Sequence, residues 1–244
     1  MTAGNSWCTG ESGSKRDRVY QVFESISANY DAANTRISLG LQSRWKKQLV
    51  REILGRTRPT DRLLDVCCGT GDIALALAAA RPDCRVDGID FSPAMLEVAR
   101  RKGCGLGNLV FAQGDAMKLP FPDGTFQAAA ISFGLRNTAC YGQVLGEMER
   151  VLKPGGTLYC LDSFVPDGAA VRPFYRFYFR RLMPLFGGGY RYRREYRWLW
   201  QSTEDFLRKK QLTQLLEQTG MQGVSCRSYL FGACALHMAQ KCDD

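Results

Sequence analysis

Residues Asp65-Val66-Cys67-Cys68-Gly69-Thr70-Gly71-Asp72 join a short apolar run, Arg62–Cys67, to a strong helix former, Asp72–Ala80. Glycines at such a turn let the backbone approach a bound molecule closely, and the helix start offers it unpaired N–H groups. Gly69, Gly71 and Ala74 satisfy the G-x-G-x-x-G/A pattern of dinucleotide binders. Asp90 lies at roughly the 20-residue offset at which an acid holds a ribose. Alone, this pattern does not separate a nicotinamide cofactor from S-adenosylmethionine.

Three further features favour S-adenosylmethionine. Asp72 stands where a dinucleotide pyrophosphate would have to lie, and an anion beside an anion is unfavourable. A sulfonium and an ammonium instead favour nearby carboxylates. Gly114-Asp115-Ala116 follows the third strand, where an acid can bond an adenine amino group. The chain also ends in a hairpin, which suits a methyltransferase sheet better than an all-parallel nucleotide fold. Asp65 reads differently, as a buried carboxylate satisfied by turn N–H groups.

The elements that must position these residues alternate at short intervals. Strands are expected at Arg62–Cys67, Arg85–Asp90, Leu109–Gln113, Ala128–Ser132 and Thr157–Asp162. Helices are expected at Asp72–Ala80, from Pro93 (capped by Ser92) to Lys102, and at Tyr141–Leu152, where Lys153-Pro154-Gly155-Gly156 stops the last of them. Such alternation implies a mainly parallel sheet with helices on both faces. A helix at Thr203–Gly220 precedes two strand-like runs, Val224–Leu230 and Ala233–Gln240, separated only by Phe231-Gly232. So short a connection requires an antiparallel pair.

With 244 residues, 45% hydrophobic and 23% charged, the chain is expected to form one domain over residues 18–244. Residues 1–17 read as a disordered lead-in, with neither signal nor transit character. No apolar run reaches the ~18 residues of a membrane span. Ten cysteines include the adjacent pair Cys67 and Cys68, and their spacings match neither zinc ribbons nor secreted knots. Reduced thiols in a cytoplasmic protein are expected, and no metal site. The net charge of +9 gathers at Arg172, Arg176, Arg180, Arg181, Arg191, Arg193, Arg194 and Arg197, interleaved with aromatics.

The chain resembles the quinone C-methyltransferases of menaquinone and ubiquinone biosynthesis, the demethylmenaquinone methyltransferase type, from about Val19 to Lys241. The resemblance rests on Val22-Phe23-x-Ser25-Ile26-x-x-x-Tyr30-Asp31-x-x-Asn34, on the glycine turn, and on Gly114-Asp115-Ala116-x-x-Leu119-Pro120-Phe121. Gly134-Leu135-Arg136-Asn137 is its most specific piece, whereas Arg150–Gly156 recurs in many methyltransferases. Two departures concern the substrate side: Asp162-Ser163-Phe164 stands where the family usually has Glu/Asp-Phe-Ser, and the late insertion is unusually rich in arginine.

The resemblance implies an α/β fold of the class I S-adenosylmethionine methyltransferase (Rossmann-like) type, seven-stranded and mainly parallel, with an antiparallel terminal hairpin. It implies cofactor contacts from Thr70, Asp90, Asp115, Ala116 and Ser132, beside Gly69 and Gly71 of the turn. Residues 18–55, with Tyr30, would form a helical lid that excludes water, and 168–202 an insertion facing substrate and membrane.

Methylating a ring carbon requires loosening the proton of a neighbouring phenol, whose pKa is about 10. Arg136 is the candidate for stabilising the developing phenolate and Asn137 for orienting the ring oxygen. The single histidine, His237, lies in the last strand and reads as a packed or hydrogen-bonded residue. The expected substrate is a prenylated hydroquinone, demethylmenaquinol foremost, collected at the inner face of an anionic membrane by reversible association. Nucleic acid is not expected, since no recognition motif accompanies the charge. Three rival readings share the glycine turn: a methyltransferase for another small aromatic or lipid, a non-catalytic basic membrane- or RNA-binding protein, and, more remotely, a dehydrogenase. Oligomeric state stays open.

Overall fold

The computed structural model describes residues 40–168, 171–177 and 201–243, together with Glu24, Asp31, Asn34, Thr35 and Ser38. Strand β1 (Arg62–Val66) is buried from Leu63 to Val66 and apolar there but for Asp65, the composition of a strand covered on both sides. It pairs in parallel with β2 (Arg85–Asp90) on one side and β4 (Phe126–Ser132) on the other. With β3 (Leu109–Gln113), β5 (Leu152–Ser163), β6 (Met221–Tyr229) and β7 (Cys234–Lys241), the seven strands run in the order β3-β2-β1-β4-β5-β7-β6. Only β7 runs against its neighbours. The order reverses between β1 and β4, and such a reversal opens a crevice at the carboxyl ends of the strands.

Side chains alternate across the sheet and build two cores. Leu64, Ala129, Ile131, Leu158 and Cys160 face α4 (Tyr141–Val151) and α6 (Lys209–Gln218). Leu63, Ala128, Ala130, Tyr159 and Leu161 face α1 (Leu41–Leu54) and α2 (Asp72–Ala80). Helix α3 (Pro93–Lys102) begins as expected, with Pro93 in its first turn and the Ser92 hydroxyl accepting from the Met95 N–H at 3.2 Å.

Three local features differ from the sequence reading. Helix α4 passes directly into β5 at Leu152, because Leu152 pairs with Phe126 across a register shift. The helix expected at Thr203–Gly220 is interrupted at 205–208 and restarts at Lys209, where extended Arg208 donates its N–H to the Gln211 side chain at 2.7 Å. Cys140 is disulfide-bonded, while eight other cysteines among the described residues are free thiols.

The β6–β7 turn spans Leu230–Gly232 and puts Leu230 (φ 45°), Phe231 (φ 54°) and Gly232 (φ 91°) in left-handed backbone. Each of the two bulky residues there costs about 1–2 kcal/mol. After α5 (Val171–Phe177), the segment 178–200 lies outside the described residues, as do residues 1–17 and Tyr30.

Gly88 shows how closely the sheet edge is packed: a Cβ there would lie 2.6 Å from the Phe111 ring. Gly88→Ala should therefore destabilise the fold by about 1–3 kcal/mol, read as a lowered urea midpoint. Gly107→Ala, with nothing within 4 Å of the new methyl, should leave the midpoint nearly unchanged.

Candidate active site

The carboxyl ends of β1, β2 and β4 frame a cleft of about 100 Å³, with the apolar walls and few polar groups of a small-molecule site. Gly69, Asp90, Asp115, Ala116 and Ser132 line it, and so does Asn137. Thr70 and Gly71, also expected at the cofactor, do not. The Thr70 hydroxyl instead donates to Asp31 Oδ1 at 2.7 Å. Gly71 precedes α2 at φ 85°, and a Cβ there would lie 2.7 Å from Phe111.

Asp90 is the most constrained of the cleft acids. One carboxylate oxygen accepts from the Gly69 N–H at 2.8 Å and the other from the Ser92 N–H at 2.9 Å. Burial raises its carboxyl above the ordinary range, against the pull of these backbone donors. At the end of β3, Asp115 accepts from the Met117 N–H at 2.9 Å. Ile89, Phe91, Met95, Met117 and Phe133 supply the apolar wall. Cys67 and Phe133 hold left-handed backbone at φ 55° and 57°, and both line the cleft. Gly134 accommodates the first of them, since a Cβ there would meet Cys67 Cβ at 2.6 Å.

Several polar atoms await a partner. Ser132 Oγ, Asn137 Oδ1 and Asp65 Oδ1 are buried with no hydrogen-bond partner among the described residues. The expectation for Asp65 is thus met by one oxygen only, which accepts from the Ala74 N–H at 3.1 Å. Burial pushes its carboxyl up to about 7. An adenosine-bearing cation fits this donor set: apolar walls for a base, acids at two strand ends, and unsatisfied oxygens nearby.

Two charged residues are placed otherwise than the sequence reading supposed. Asp72 is held by Lys46 at 2.9 Å and Lys102 at 3.2 Å. Burial alone would raise its carboxyl, yet the lysines keep it below the ordinary range, so its charge is already balanced within the protein. Arg136 does not line the cleft: its guanidinium is buried in an ion pair with Asp162 and donates to the Phe133 carbonyl at 3.0 Å. The neighbouring Asn137 does line the cleft, with Phe133 and Gly134 of the same turn. His237 is a packed strand residue, with Nε2 3.1 Å from the Lys209 carbonyl and its pKa pushed down to about 4 by burial.

The N-terminal segment also touches the site. The Ser92 hydroxyl donates to Glu24 at 2.7 Å, and Lys102 bonds Asp31. Glu24, Lys46 and Lys102 escaped the sequence reading, as did the contacts of Asp31, because contacts 26 to 71 residues apart leave no local pattern.

Comparison with known proteins meets this geometry. The family model described as the ubiE/COQ5 methyltransferase family matches residues 11–241. The chain belongs to that family. The demethylmenaquinone methyltransferase of Geobacillus kaustophilus (strain HTA426) is 43% identical over 235 residues, covering 93% of this chain and 98% of that one. The Staphylococcus haemolyticus (strain JCSC1435) enzyme of the same name is 40% identical over 233 residues, covering 95% and 97%. Among solved structures, an S-adenosylmethionine-dependent methyltransferase of Thermotoga maritima superposes with TM-score 0.64 at 19% identity, covering 91% of this chain and 99% of that one. A Haemonchus contortus phosphoethanolamine N-methyltransferase 2, solved with S-adenosyl-L-methionine, gives 0.61 at 16% identity, covering 80% and 52%. These likenesses show the fold, and membership of the family makes the chain an S-adenosylmethionine-dependent methyltransferase.

Two substitutions test this geometry. Burial pushes the Asp65 carboxyl up to about 7, from an ordinary 3.8, so the folded state binds the extra proton between these values. Stability from this group is present at low pH and lost as pH rises to 7. Asp65→Asn should be more stable than the parent, by a margin that grows between pH 4 and 7 and then levels off in urea titrations. Asp31→Asn should weaken S-adenosylmethionine binding roughly 3–10-fold by calorimetry, the about 1 kcal/mol of a partly exposed charged contact.

Proposed function

We propose that this methyltransferase alkylates a ring carbon of a prenylated hydroquinone, converting demethylmenaquinol to menaquinol. The supporting observation is the 40–43% identity to demethylmenaquinone methyltransferases over nearly the whole of both chains. S-adenosylmethionine, when bound, supplies a methyl group on a sulfonium for in-line displacement. The protein contributes position: Asp90 with Gly69 and Asp115 with Ala116 hold the adenosine, while Ser132 faces the same cleft.

Asn137 is the residue we assign to the ring oxygen. Its amide nitrogen is fixed by the Phe133 carbonyl at 3.2 Å, leaving Oδ1 to orient the ring by accepting from one hydroxyl of the hydroquinone, while the proton of the other hydroxyl, next to the reacting carbon, leaves to water. Arg136 acts through this turn. Its pair with Asp162 fixes residues 133–137, and the paired guanidinium leaves the net field at the ring small. Tyr30 and the segment around it form the lid in this reading, anchored by Glu24 and Asp31.

The substrate tail places the work at a bilayer. No helix among the described residues is long and apolar enough to cross a membrane. We therefore assign the enzyme to the cytoplasmic side, reversibly attached to anionic lipid, with residues 168–202 facing the substrate and the membrane.

Cells lacking the protein should accumulate a quinone one methyl lighter than the parent's, detected by mass spectrometry; an unchanged quinone pool would refute the substrate. Asn137→Ala should lower turnover by roughly 10²-fold while S-adenosylmethionine affinity stays nearly constant. Arg136→Ala should cost about 3–5 kcal/mol of stability by stranding Asp162, whereas Arg136→Lys should recover most of the fold.

A further inference from the structure

The β6–β7 turn combines two unfavourable choices. Leu230 and Phe231 occupy consecutive left-handed positions, where Asn-Gly would sit without strain. They also remain 50% and 80% exposed. Scattered exposed apolar residues are ordinary, but these are not scattered. Among the described residues the exposed large hydrophobics are Val110, Phe177, Leu230 and Phe231, and the last two are adjacent at this corner of the sheet. Phe177 ends α5, whose Arg172 donates to the Pro166 carbonyl at 2.9 Å, and Pro166 packs against Gly232 of the turn. Val110 lies on β3, at the opposite edge of the sheet.

The corner belongs to the catalytic end. Cys234, at the start of β7, pairs with Ser163 at the carboxyl end of β5, and one strand further in Leu161 pairs with the cleft residue Ser132. Two strand spacings put the turn roughly 10 Å across the sheet from the cleft wall. Cations stand at its base: Lys209 Nζ lies against Gly232, paired with Asp167 at 2.9 Å, and Arg208 and the exposed Lys210 adjoin it in the chain.

We propose that Leu230 and Phe231 form a wedge that enters the interface of an anionic bilayer and holds the cleft end of the sheet against the lipid containing the prenylated substrate. An apolar tip with a basic base matches the two layers of such a surface, acyl chains beneath anionic headgroups. The inference rests on the quinol reading above and adds the element that makes contact. It also accounts for both costs of the turn, since the lipid receives the side chains and the tight left-handed turn projects them outward.

The test uses Leu230→Asn/Phe231→Gly in the full-length protein, a pair that favours the same turn and so should unfold no earlier than the parent. Sedimentation with vesicles of phosphatidylcholine and phosphatidylglycerol should show partition reduced by about tenfold or more. Turnover of a long-tailed quinol in those vesicles should fall in step, with S-adenosylmethionine affinity and turnover of a short-tailed soluble quinol retained. Unchanged partition would overturn the wedge. So would equal loss on both quinols, which would put the turn in the active site, or a parent dimer that the variant converts to monomer, which would mean a second copy covers the tip. If the parent methylates neither quinol, the substrate reading fails, while vesicle partition still decides the wedge.

Discussion

The carboxylate of Asp90 ties together three parts of the molecule. It ends β2, receives the N–H of Gly69 from the glycine turn, and receives the N–H of Ser92 from the start of α3. A buried anion requires such donors, and here the donors are the backbone that shapes the cofactor cleft. Ser92 extends the link outward, because its hydroxyl caps α3 while donating to Glu24 of the N-terminal segment. The cleft, the helix start and the segment above them therefore share one hydrogen-bonded path.

Buried charge elsewhere follows a contrasting pattern. Arg136 and Asp162 neutralise one another inside the protein, so their role is to fix a turn. Lys46 and Lys102 likewise balance Asp72, and Lys102 with Thr70 holds Asp31. Asp65 feels Lys46 only at a distance, and burial drives its carboxyl up to about 7. The uncompensated groups of the cleft region, Asp65 Oδ1, Ser132 Oγ and Asn137 Oδ1, mark where a ligand has polar work left to do.

Much of this was legible in the sequence because it depends on local pattern. Strands β2 and β3 fall at the expected residues, and Gly69, Asp90, Asp115 and Ala116 line one cleft because motif spacing places them all at strand ends. Arg136 looked like a free cation because its partner lies 26 residues away on another strand. Asp72 looked available to a ligand for the same reason, since Lys46 and Lys102 reach it from other helices. The left-handed backbones of Cys67, Phe133 and Phe231 were invisible: tertiary packing overrode what these side chains prefer.

The account's central claim is that the cleft delivers a methyl group to ring carbon. Purified protein supplied with S-adenosylmethionine carrying a trideuterated methyl, and with reduced demethylmenaquinol, tests it directly. The predicted product keeps the label after oxidation to the quinone, as a carbon-bound methyl must. Label attached to oxygen, where it would block that oxidation, or no labelled product at all, would contradict the account.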